Sequence, residues 1–146
     1  MPSMGGYTFS ETMTGTCLRD GAESPIAFTL QARVDNLLHH LQDRRATIEG
    51  HIDLPGLANH TPLRGEMIID PLLSRLIRYD FTFAGDDGGS YRFFGQKEVS
   101  VLDPVASMTT LPAEITGPDG KRIATCELRF DLRDLPAFLS SFRPVL

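Results

Sequence analysis

IRYDFTFAGDDGGSYRFFGQKEV, residues Ile77–Val99, decides the fold. Side chains alternate between the two faces of a strand. The run 76–84 puts Ile77, Tyr79, Phe81 and Phe83 on one face, against Arg78, Asp80 and Thr82 on the other. Asp86-Asp87-Gly88-Gly89 follows as a hairpin turn, because Asp and Gly tolerate positive φ. The second run repeats the alternation. Tyr91, Phe93, Gly95, Lys97 and Val99 share one side, and Arg92, Phe94, Gln96, Glu98 and Ser100 the other. The stretch is a β-hairpin with one apolar face, broken by a single ammonium group at Lys97.

The same pattern extends outward in both directions. Residues 7–18 are rich in Thr and aromatics and end at Arg19-Asp20-Gly21. Residues 26–35 set Ile26, Phe28, Leu30, Ala32 and Val34 against Thr29, Gln31, Arg33 and Asp35. Residues 46–54 alternate likewise and stop at Pro55-Gly56. Residues 63–70 place Leu63, Gly65, Met67 and Ile69 together. A last pair, 108–116 and 122–131, is joined by Gly117-Pro118-Asp119-Gly120, with Ala124, Cys126, Leu128 and Phe130 on one face.

Helical spacing interrupts the alternation twice. Asp35 is placed to cap a short helix carrying Leu37, Leu38 and Leu41, and Asp70 to Ser74 can form one more turn. Near the end, Asp134 precedes Leu135, Phe138, Leu139 and Phe142 at i, i+3, i+4 and i+7, an amphipathic stripe. Pro136 falls in its first turn, where proline is tolerated.

About eight antiparallel strands joined by short turns must hide their edges, by closing into a barrel or folding into a sandwich. Gly15, Gly50, Gly65 and Gly95 fall in mid-strand, where a curling sheet bends, so the expectation is a single-domain, lipocalin-like barrel over 1–146. It has one short internal helix and a C-terminal amphipathic helix. An interior of that size holds side chains or one small ligand.

Composition narrows the function classes. The 146 residues are 41% hydrophobic and 23% charged, with a formal net charge of −5, ordinary globular usage with no clustered basic surface for nucleic acid. No apolar run approaches the roughly 20 residues that span a bilayer. The start MPSMGGYTFSE lacks a secretory pattern, which makes the cytoplasm the expected location. Two cysteines are too few for a disulfide framework or a cysteine zinc site. Cys17 and Cys126 share inward phases of neighbouring strands and are expected to remain two small core thiols. No cofactor or metal is expected. His51 lies between Glu49 and Asp53 on an outward phase, a pattern that a solvated charged face produces equally well. His39 and His40 diverge on a helix, and His60 belongs to a loop.

FSETMTG (9–15), the 77–99 hairpin, MTTLPAEI (108–115) and GKRIATCELRFDLRDLPAFLSSFR (120–143) resemble an accessory β-region. That region accompanies bacterial glucose-methanol-choline oxidoreductases similar to cholesterol oxidases. Asp87, Gly95 and Lys97 fall on the pattern. The chain has neither a G-x-G-x-x-G motif nor a βαβ unit, so no flavin site accompanies the likeness. The resemblance implies a non-flavin module near sterol or lipid chemistry, with an oxidoreductase as candidate partner, and it implies no reaction.

Lys97 then shares its face with Tyr79, Phe81, Tyr91, Phe93, Phe28 and Leu30. On the first strand Phe9, Glu11, Met13, Gly15 and Cys17 point one way, and Glu11 is the only charge among them. Three placements fit. Lys97 snorkels to water at a barrel mouth, pairs with Glu11 to fix register, or joins Glu11 as the polar spot of an apolar cavity. The expected function is non-catalytic binding of an apolar, sterol- or lipid-like molecule, through Glu11, Met13, Phe28, Leu30, Tyr79, Phe81, Tyr91, Phe93 and Lys97. Two rivals stand beside it. One is an isomerase or cyclase with Glu11 as acid/base and Lys97 or Tyr79 polarising the substrate. The other is an interaction or homodimerisation module with a filled core.

Overall fold

The computed structural model describes residues 5–36, 40, 42–70, 74–100 and 102–145. Alternation becomes nine strands: β1 (Gly6–Arg19), β2 (Ala22–Val34), β3 (Arg45–Leu54), β4 (Ala58–Asp70), β5 (Leu76–Ala84), β6 (Ser90–Glu98), β7 (Thr110–Thr116), β8 (Arg122–Arg129) and β9 (Arg143–Val145). Each strand from β2 to β8 pairs with the next, β8 pairs with β1, and β1 pairs with β2, so eight antiparallel strands close a barrel. Short β9 adds to β1 at Gly6–Thr8. Among the described residues the structure has helices α1 (Pro104–Thr109) and α2 (Leu135–Ser140) and a 3-10 turn at Leu132–Asp134, and residues 40, 42 and 43 are also helical.

Closure demands tight strand contacts at the bends. A Cβ on Gly15 would lie 1.9 Å from the Glu127 carbonyl oxygen, and one on Gly50 would lie 2.0 Å from that of Thr29. Only glycine fits such approaches.

Several boundaries differ from the sequence reading. β2 and β4 begin at Ala22 and Ala58, before their clean alternation, so His60 lies in a strand rather than a loop. Residues 108 and 109 end α1 instead of starting a strand; Asp103 caps that helix by accepting from the Ala106 N–H at 3.4 Å. Asp134 makes no side-chain cap. Asp131, three residues earlier, accepts from the Arg133 N–H at 2.9 Å and so starts the 3-10 turn. Leu37, Leu38, His39 and Leu41, and the turn expected at 71–73, lie outside the described residues.

The inward faces do not make one uniform core. In the middle, Phe28, Phe81 and Phe93 pack ring on ring, with centroids 4.6–5.5 Å apart. Toward the end that carries the 85–89 turn, Phe83 stacks on Tyr91 at 5.6 Å, and the Tyr91 hydroxyl donates to Asp87 at 2.6 Å. Cys17 stands opposite Cys126 in the β1–β8 register, and their sulfurs are joined. This corrects the expectation of separate thiols: the two positions face one another directly across the closing seam.

The other end is built differently. β8 pairs β1 only over Thr14–Leu18, and β7 pairs β6 only over Arg92–Gly95. Beyond those pairs the wall splits between β1 and β6. The 3-10 turn and the two helices cover the split. The Ser10 N–H donates to Ser141 Oγ at 2.9 Å, and Phe138 packs on Phe9 and Phe130 at 5.6 and 5.4 Å. Among the described residues no helix is long and apolar enough to cross a membrane.

Candidate ligand-binding site

The split positions three polar side chains over apolar walls. Glu11 stands on β1 just beyond its last partner in β8, and Lys97 stands on β6 just beyond its last partner in β7. Tyr79 belongs to β5, opposite Gly95. Gly95 contributes no side chain, and Leu111 of β7 comes within 2.9 Å of where its Cβ would be. With no side chain at Gly95, nothing on that residue separates the Tyr79 ring from Lys97, one step along β6 on the same face.

The Tyr79 hydroxyl donates across the barrel to Glu11 Oε1. Lys97 Nζ lies 5.2 Å from the centroid of the Tyr79 ring, a cation–π contact. Glu11 and Lys97 thus both turn inward, but they do not form the direct pair that the alternation suggested. Tyr79 stands between them, binding one through its hydroxyl and the other through its ring.

Burial is deep: Tyr79 is 0% exposed, Lys97 4% and Glu11 8%. Desolvation pushes the Lys97 ammonium below its ordinary pKa, and the Glu11 charge opposes that only in part. Desolvation first, then the Glu11 charge and hydrogen bond, hold the Tyr79 phenol well above its ordinary value. Lys97 has no hydrogen-bond acceptor and no ion-pair partner among the described residues. A buried ammonium in that condition is costly, and the side chain lines a cavity at the split end of the barrel.

These groups form the floor of a cavity of about 330 Å³. Its walls come from Phe9, Met67, Ile77, Phe130, Phe138 and Phe142, with Tyr7 and Leu135 toward the mouth. Burial raises the Tyr7 phenol above its usual value, and the buried His40 ring meets Tyr7 edge-on at 6.0 Å.

Of the nine residues expected to hold a ligand, Glu11, Tyr79 and Lys97 line this cavity. Met13, Phe28, Leu30, Phe81 and Phe93 are buried in the packed middle, and Tyr91 lies toward the opposite end. They share the inward phase but not the cavity, because alternation reports a face and not a height along the barrel. The walls at Phe130, Phe138 and Phe142 were read from sequence as strand end and packing stripe. Their signal was the brevity of β7 and β8, which cannot wall the full height that β1 and β2 reach.

His51 stacks on His60 at 4.4 Å, and His60 Nδ1 lies 3.1 Å from Asp53 Oδ2, all exposed. Among the described residues no group of three donors could hold a metal ion. Asp80 and Arg92 form a two-bonded ion pair at 2.7–2.8 Å, which lowers the Asp80 carboxyl below its usual range. Comparison with models of protein families, with characterised proteins and with solved structures finds no match to this chain.

Proposed function

We propose that the split end of the barrel binds a neutral, apolar small molecule through one oxygen acceptor seated at Lys97. The observation that supports it is a lysine only 4% exposed, its ammonium without an acceptor among the described residues, at the floor of an otherwise apolar cavity. Pockets of this kind orient a ligand with a few polar groups and bind it with apolar area. Glu11 already supplies the compensating negative charge nearby, so a ligand that adds a second carboxylate would bury an uncompensated charge. A carbonyl or hydroxyl oxygen completes Lys97 without that cost.

A volume of about 330 Å³ stands near the lower end of ligand pockets, which run from about 300 to 1,000 Å³. A chain of roughly medium-chain length, or one end of a sterol- or lipid-like molecule, matches it. Such a molecule would keep its remaining length against the apolar rim. That ligand class and an oxidoreductase partner rest on the sequence resemblance alone.

Native mass spectrometry with decan-1-ol, 2-decanone and decane tests the reading. One equivalent of alcohol and ketone should be retained, with decane held more weakly, and Lys97→Met should erase the preference. Equal retention of all three, or of none, would sink it.

A second reading has its own observation. Leu102, Val105, Met108, Leu132, Leu135, Leu139 and Phe142 are exposed, four of them (Met108, Leu132, Leu135 and Phe142) lining the cavity, and exposed apolar patches often mark interfaces. In this reading the module docks to a protein or a second copy. A concentration-dependent mass in sedimentation, abolished by Leu139→Glu, would favour it.

A further inference from the structure

The chain contains two lysines and twelve arginines, and one of those two lysines forms the cavity floor. Arginine stays protonated in proteins and offers no free amine. A lysine desolvated in an apolar pocket is the residue that adds to carbonyl carbon. Lys97 meets the geometric demands as well. Its Nζ is held over the Tyr79 ring, it has no acceptor among the described residues, and it faces apolar walls. The Tyr79–Glu11 hydrogen bond sets an acid and a base beside it.

We propose that Lys97 forms a protonated Schiff base with an apolar aldehyde, or an unhindered ketone, held in the cavity. This rests on the binding reading above and adds a covalent bond to it.

The step balances without a co-reactant. The ammonium gives up one proton, and the nitrogen lone pair forms a bond to the carbonyl carbon as the C=O π pair moves to oxygen. A proton passes from nitrogen to that oxygen, leaving a carbinolamine. The proton first released returns to the hydroxyl, the C–O bond breaks and water leaves. The nitrogen lone pair closes the C=N bond. Ammonium plus carbonyl become iminium plus water, and nothing is oxidised or reduced. One positive charge sits at nitrogen before and after, so Glu11 balances both states. Burial shifts Lys97 toward the free amine that begins the step. The cavity's apolar walls limit the water that would reverse it.

The test uses the full chain, decanal and cyanoborohydride, which reduces an iminium to a stable secondary amine, followed by peptide mapping. Lys121, exposed in the β7–β8 turn, serves as an internal reference. The expected result is Lys97 labelled severalfold faster than Lys121. Excess decan-1-ol, which cannot form an imine, should suppress labelling at Lys97 and leave Lys121 unaffected. Lys97→Met should lose the label, and Lys121→Arg should keep it. Retention of decan-1-ol by native mass spectrometry with no preferential label at Lys97 overturns the covalent step and leaves the binding reading standing. Failure to retain the alcohol together with failure to label Lys97 overturns both.

Discussion

The middle and the split end of this barrel share one sequence pattern and part company in chemistry. Around Phe28, Phe81 and Phe93 the inward positions meet as stacked and edge-to-face rings. Around Glu11, Tyr79 and Lys97 the same inward phase carries charge, and the wall is finished by short helices, the 3-10 turn and short β9. Interiors are close-packed, and stability comes from that packing. A region that keeps a desolvated ammonium gives up part of that stability for a different task. The packed middle should therefore govern unfolding, and the split end binding.

The largest test strikes the packed middle. Phe93→Ala, at 0% exposure, should lower unfolding free energy by about 3–5 kcal/mol in urea titration, the usual range for a buried phenylalanine. A loss no larger than that of a rim substitution would erase the distinction between the two regions. Tyr79→Phe is next. It removes the donor to Glu11 and leaves a buried acceptor unsatisfied, at a cost of about 1–3 kcal/mol.

Lys97→Met should move stability the other way, raising it by about 1–2 kcal/mol, because a desolvated charge is exchanged for an apolar side chain of similar length. The pH dependence sharpens that prediction. The folded-state pKa of Lys97 lies below its ordinary 10.5. In the window between the two values the unfolded chain binds more protons, so this group's contribution to stability rises with pH. Above about pH 10 the raised Tyr79 value acts oppositely, since the folded state keeps a proton that the unfolded chain releases. Glu11, Tyr79 and Tyr7 share the cavity with Lys97, and the His40 ring abuts Tyr7. The alkaline rise should vanish in Lys97→Met while the later fall persists.

The smallest expected effect is at the rim. Phe142→Ala, where the side chain is 39% exposed, should change stability by less than about 1 kcal/mol, as partly exposed substitutions usually do. It should nonetheless speed the release of bound decan-1-ol.

Much of this was legible before any coordinates. Alternation in Ile77–Val99 and its turn residues specified the hairpin, and Gly15 and Gly50 marked bends that the backbone contacts require. Lys97 and Glu11 stood out as single charges on apolar faces. What could not be read was height. A period of two assigns Met13 and Glu11 to the same face equally, while only the folded barrel separates Met13 in the packed core from Glu11 at the cavity. Helix α1 was missed although Asp103-Pro104 is a start signal, because six residues with none buried leave no apolar stripe to find.

The cavity opens at one end, and the other is sealed by Phe28, Phe81 and Phe93. A vessel with a single neck empties before it refills. A competitor cannot push the resident out from behind, so exchange must wait for spontaneous departure. The displacement rate should then plateau at the intrinsic off-rate however much competitor is added. If a partner protein takes delivery of the cargo, it must meet the barrel at that neck.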